Sequence, residues 1–204
     1  MDDFKRFRLR NVLSCIIESV VKRGDETICD QPITRFTAQS PPDISVRDYM
    51  ERLYRYSKCS VECLVLALIY IDRFIQSSNI QVNSLTIHRI LLTSVVLAAK
   101  TYDDNFYTNT HYARVGGIPV EELNCLEIEF LFSIGFSLYV SCEDYLRYHT
   151  EIYKHSMSRV CNLCSGLDIP MLCMSESNDS SFVMRYGDGR DCSPTNVNYN
   201  VMSY

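Results

Sequence analysis

The chain has 204 residues, 47% hydrophobic and 22% charged, with a formal net charge of −5. This is the balance of an ordinary globular domain with room for a tail. It speaks against a duplex-binding module, which would carry a basic face. No apolar run approaches the roughly 18 residues that a bilayer-spanning helix requires, so no membrane association is expected. The opening MDDFKRFRLR has no secretory pattern. An intracellular protein, cytoplasmic or nuclear, is therefore expected, with its ten cysteines as free thiols.

The elements follow in chain order. KRFRLR (5–10) reads as a solvated terminal segment, with contact to something acidic as the alternative. NVLSCIIESVVKRG (11–24) places Val12, Ile16 and Val20 on one stripe and ends at Gly24, so a first helix is predicted there. A polar connector runs to AQSPPD (38–43). ISVRDYMERLYRYSK (44–58) follows, with Ser45 as N-cap and Asp48 three residues on, the capping-box arrangement. Ser60 is expected to cap VECLVLALIYIDRFIQS, and Ser84 to cap LTIHRILLTSVVLAAKTY. The second of these is apolar nearly all round, which predicts a central helix surrounded by others.

NTHYARVGG (109–117) reads as one or two helical turns closed by glycines. Pro119 suits the first turn of VEELNCLEIEFLFSIGF, where Glu121 and Glu122 favour the helix dipole. Ser141 opens CEDYLRYHTEIYKHSM. No strand alternation is evident, so the fold class is all-α, about five helices around a central one. The divisions are 1–43, an N-terminal helix and connector; 44–157, the main helical domain; and 158–204, a largely disordered C-terminal tail in which periodicity is lost, most clearly over 175–204. Cys15, Cys59, Cys63, Cys125 and Cys142 lie in or beside predicted helices, where cysteine behaves as a small hydrophobe.

Catalytic constellations are missing. The chain contains no P-loop, dinucleotide fingerprint, nucleophile elbow or zincin helix. His88, His111, His149 and His155 are dispersed, and the carboxylate pairs Asp103–Asp104 and Glu121–Glu122 point in different directions on a helix. CNLC, with Cys161 and Cys164, has a metal-like spacing but no matching second pair. The expectation is a non-enzyme with no cofactor and no metal. Lys100 in the last turn of its helix complements the carbonyl end of the dipole, and Asp104, four residues on, is placed for a weak pair with it.

Four motifs go further: YIDRF (70–74), AAKTYDD (98–104), YARVGGI (112–118) and ELNCLEIEFL (122–131). In this order and spacing the stretch from about Ile44 to Tyr153 resembles a cyclin box. It looks most like the P-type or U-type cyclins of plants, protists and the yeast phosphate-response pathway. The resemblance implies a single five-helix cyclin box with a flanking N-terminal helix. The implied function is to bind and activate a cyclin-dependent protein kinase, with no nucleic acid involved. By that resemblance Lys100 grips the kinase beside its regulatory helix. Glu127, nine residues before Phe136, works with it, and Glu129 is the rival. Phe136 and Leu138 fall where the family places apolar contacts to the same kinase element.

Departures are visible too. Thr101 stands where many cyclins carry an aromatic, so Tyr102 or Phe106 is expected to supply that contact. The chain has no Trp, and SVRDYMERLYRY lacks the pattern of the family's substrate-docking patch. A second cyclin box and an N-terminal destruction-box sequence are not evident. The alternative reading is a helical module of cyclin-like fold acting in transcription. It would predict a basic groove, against the acidic balance.

Overall fold

In the computed structural model, residues 2–27, 33–157, 171–176 and 182–187 are described. Seven helices are found among them: α1 (Asp2–Glu26), α2 (Val46–Ser57), α3 (Val61–Ser77), α4 (Ile87–Tyr102), α5 (Asn109–Gly116), α6 (Val120–Ser133) and α7 (Cys142–Met157). They form one unit that ends before Pro170. Residues from Pro170 onward form a second unit, whose described part is an antiparallel pair, β1 (Met171–Glu176) with β2 (Phe182–Gly187). The helical unit is all-α, as predicted. The strand pair stands where the sequence suggested no strand, because neither run shows a clear alternation of apolar and polar residues. The rest of the tail expected to be disordered, including Cys161, Cys164 and Cys192, lies outside the described residues.

Helix α4 is the central element. It packs against α2, α3, α5 and α6, and every residue from Ile90 to Ala99 is buried. Ala98 and Ala99 are small enough to let neighbouring helices approach closely. Its start differs from the prediction: Thr86, not Ser84, is the N-cap residue. Asn83 Oδ1 accepts from the Leu85 and Thr86 N–H groups, and Thr86 Oγ1 accepts from Asn83 N at 3.0 Å. The Ser84 N–H instead donates to Asp25 Oδ1 at 2.8 Å. The caps at Ser45 and Ser60 are as predicted, accepting from Asp48 N at 3.0 Å and Cys63 N at 3.3 Å. Ser141 likewise accepts from Asp144 N at 3.1 Å.

The N-terminal region is more integrated than its sequence suggests. Helix α1 begins at Asp2 and runs through Gly24 to Glu26. Gly24 is a close approach and not a stop: a Cβ there would lie 1.9 Å from the Val82 carbonyl oxygen, so only glycine fits. The expectation of a solvated KRFRLR segment holds for Phe7, which is exposed, and not for Leu9 and Arg10, which are buried. The Arg10 guanidinium pairs with Glu51 of α2 at 2.5 Å and lies over the Tyr54 ring. The connector contributes to the core as well. Phe36 is fully buried, 4.9 Å from the Phe74 ring and 6.2 Å from Phe130, while Phe74 and Phe130 stack at 4.5 Å. These three rings join the connector, α3 and α6 in one buried cluster.

Cys15, Cys59 and Cys63 are buried as small hydrophobes. Cys125 and Cys142 are exposed, because a helical position says nothing about which face of the helix it falls on. The histidines hold separate structural posts: His88 bonds the Ile44 carbonyl, His111 the Tyr56 carbonyl, and His149 is buried in α7. Burial holds the His149 imidazole down, to about 4, and so neutral. No described helix is long and apolar enough to cross a membrane.

Candidate functional site: an ion pair beside an exposed aromatic stripe

Helix α4 ends at Tyr102 because Asp103 takes extended backbone, its N–H still bonded to the Ala99 carbonyl. Asp103 Oδ2 then accepts from the Ser60 N–H at 3.0 Å, tying the end of α4 to the start of α3. Lys100 therefore sits in the last helical turn, as predicted. Its partner is not Asp104. That residue lies beyond the helix, where the four-residue spacing no longer brings side chains together, and it is exposed. Instead Lys100 Nζ donates to Glu127 Oε1 of α6 at 2.6 Å, with side chains 27% and 13% exposed.

The Glu127–Glu129 alternative is thereby resolved as far as the contact with Lys100 goes. Glu129 faces the connector and meets Arg35 at 3.4 Å. The second Glu127 oxygen accepts from Asn109 Nδ2 at 2.7 Å. The pair is half-sheltered, so it is screened less than a surface ion pair. An ammonium has three donors, of which Glu127 takes one.

Helix α6 closes in a Schellman arrangement. Phe136 N–H bonds the Leu131 carbonyl at 2.9 Å and Gly135 N–H the Phe132 carbonyl at 3.1 Å. Gly135 has φ 57°, which suits a glycine. Phe136 follows at φ 56°, a left-handed conformation that is strained for a bulky residue. The ring is 57% exposed and meets Phe132, itself 69% exposed, edge-on at 5.2 Å. Ile128, one turn before Phe132, and Tyr139 beyond the loop are exposed too. Phe132 and Phe136 thus make an exposed apolar surface at the end of α6, with Ile128 one turn before it. Exposed contiguous apolar surface of this kind marks interaction sites.

The loop is fastened from three sides. Tyr70 OH donates to the Leu138 carbonyl at 2.7 Å, and burial pushes this phenol well up, so it stays protonated. Arg73 Nη1 donates to the Ser137 carbonyl at 2.7 Å and the Tyr139 carbonyl at 2.9 Å. Tyr102 OH accepts from Val140 N at 2.6 Å and donates to the Leu138 carbonyl at 3.3 Å. Tyr102 thus fastens the loop within the chain while its ring stays 40% exposed. Leu138 is half-buried and held by its backbone. Phe106, the other residue named for the aromatic contact, is 55% exposed.

The structure therefore brings Lys100 and Glu127 together directly, and fixes Tyr102, Phe136 and Leu138 to one another through the loop. Tyr70, Arg73, Asn109, Ile128, Phe132 and Tyr139 were not anticipated at the site. Two of them, Tyr70 and Arg73, belong to the YIDRF motif and fasten the loop. Arg73→Ala should release two carbonyls and weaken the loop locally by about 1–3 kcal/mol. Amide hydrogen exchange at residues 136–140 should accelerate while helix-core exchange stays unchanged; equal rates in both would show that Arg73 does not hold the loop.

With this geometry in view, comparison with known proteins places the chain. The Cyclin family model matches residues 12–138, and the chain belongs to the cyclin family. It is similar to Cyclin-P3-1 of Oryza sativa subsp. japonica, 40% identical over 150 residues, covering 72% of this chain and 64% of that protein. It is similar also to Cyclin-U4-2 of Arabidopsis thaliana, 40% identical over 158 residues and covering 73% of each. Cyclin-P4-1 of Oryza sativa subsp. japonica aligns further, 34% identical over 183 residues and 85% of each chain. The chain thus spans a little under two thirds of the first of these relatives. Cyclins are regulatory proteins, and the P and U types are the ones the four motifs suggested.

Proposed function

We propose that this chain binds a cyclin-dependent protein kinase inside the cell and activates it by holding the kinase's regulatory helix in place. The observation that carries the reading is the half-sheltered Lys100–Glu127 pair at 2.6 Å next to the exposed Phe132–Phe136 stripe. Charged groups surrounded by apolar anchors are what an interface needs to gain both register and affinity. Lys100 offers charge-assisted donors to partner carbonyls, and Phe136, Tyr102 and the side chain of Leu138 supply apolar contact. A kinase is active only when its own Lys–Glu ion pair is assembled. A ligand that binds the assembled conformation better shifts the population toward it. Phosphoryl transfer belongs to the kinase in this reading, and the cyclin needs no cofactor.

The test combines the purified full chain with a panel of recombinant cyclin-dependent kinase catalytic subunits. A stoichiometric complex and stimulated phosphorylation with at least one of them are expected. If no subunit binds at micromolar concentrations, the reading fails.

A further inference from the structure

We propose that Asn109 is a positioning residue of this site, holding the Glu127 carboxylate in the orientation that Lys100 and the partner require. The proposal rests on the kinase-binding reading and assigns a role that none of the four sequence motifs carries.

Asn109 is the first residue of α5. Its Nδ2 donates to Glu127 Oε2 at 2.7 Å and to Asn124 Oδ1 at 2.7 Å. A primary amide has two N–H groups, so both are engaged. Lys100 holds the other Glu127 oxygen at 2.6 Å. The carboxylate is thus gripped at both ends, from α4 and from α5, and cannot turn about its last bond without breaking one contact.

The cost of this arrangement is visible in the same side chain. A carboxylate only accepts, so the Asn109 atom facing it must be the nitrogen. Its Oδ1 is consequently turned inward, where it is buried with no hydrogen-bond partner. A buried acceptor without a donor is unfavourable, and such exceptions call for a reason. Here the reason is the other end of the amide. Glu127 orients the Lys100 ammonium, which sets the direction of its remaining N–H groups, and Asn109 orients Glu127. Removing the amide leaves Oε2 free to swing, and the ammonium follows it.

The test measures dissociation constants of the full chain for a catalytic subunit from the panel above, alongside thermal melts. Asn109→Ala should weaken binding about tenfold, the loss of one hydrogen bond to a charged group. Asn109→Asp is close to isosteric but sets a second carboxylate against Glu127, and should be weaker than Asn109→Ala by a further factor of about ten. A packing role would rank the two the other way, since the aspartate fills the site and the alanine does not. In a Glu127→Ala background, Asn109→Ala should change affinity by less than about twofold, because its effect travels through the carboxylate.

A binding constant for Asn109→Ala equal to wild type, with an unchanged melt, overturns the proposal, as does full additivity with Glu127→Ala. If Asn109→Asp fails to fold, the alanine cycle decides alone. A wild-type chain that binds no catalytic subunit overturns the kinase reading and this proposal with it. A wild-type chain that binds, with Asn109 variants that bind equally well, overturns this proposal only.

Discussion

Lys100→Ala is expected to reduce affinity for the kinase by about 2–5 kcal/mol while the far-ultraviolet circular dichroism stays that of the wild type. Lys100 is 27% exposed at the last turn of α4 and is not one of the buried core residues, so its loss is expected to leave the helices in place. What remains is a Glu127 carboxylate with 13% of its side chain exposed and Asn109 as its donor. A partner covering that site would bury an anion deprived of its cation, and most of the loss comes from there. Glu127→Ala is expected to do the converse, leaving the ammonium without its anchor. Because the two groups act as one, the double variant should lose less than the sum of the single losses. Measurement is by titration calorimetry with purified kinase. A double variant that still binds as tightly as wild type would sink the assignment.

Phe130→Ala should have the largest effect on stability. Phe130 is fully buried on α6, stacked 4.5 Å from Phe74 and edge-on to Phe36. Truncating a buried phenylalanine costs about 3–5 kcal/mol through lost burial and the cavity left behind. For a domain of this size that lowers the melting midpoint by roughly 6–20 °C. Phe130 also lies less than one turn from Glu127 on the same helix, and its carbonyl accepts from the Ile134 N–H that caps α6, at 3.0 Å. Kinase binding should therefore fall along with stability, the opposite of the Lys100→Ala pattern. A Phe130→Ala protein with an unchanged melting midpoint would show that the three-ring cluster is not structural.

How much of this could be read from residues alone depends on the range of the interaction. The caps at Ser45, Ser60 and Ser141 are local chemistry, and all three were legible. The cap of α4 was also local, but Asn83, Ser84 and Thr86 all compete within four residues, and composition does not choose among them. The apolar run from Leu91 to Ala99 was enough to identify the central helix. Lys100 and Glu127 are 27 residues apart and were paired only through the resemblance to cyclins. The Asp104 pairing suggested by spacing failed because the helix stops at Tyr102.

Asn109 left no such trace, and Tyr70 and Arg73 stood in the YIDRF motif without an assigned role. Their partners are the Glu127 carboxylate and the backbone carbonyls of Ser137, Leu138 and Tyr139, and a carbonyl has no sequence identity to read. Gly24 misled for a related reason. A glycine near the end of an apolar stripe reads as a stop, whereas here it makes room for the Val82 carbonyl of another segment.

The aromatic stripe has a consequence for the cell as well as for the complex. Phe132 at 69%, Phe136 at 57% and Tyr139 at 79% exposure face water whenever this polypeptide is alone. On the kinase-binding proposal, a copy without its partner keeps this apolar surface in water, where such surface favours association. On that proposal assembly covers these rings and stabilises the bound copies by mass action.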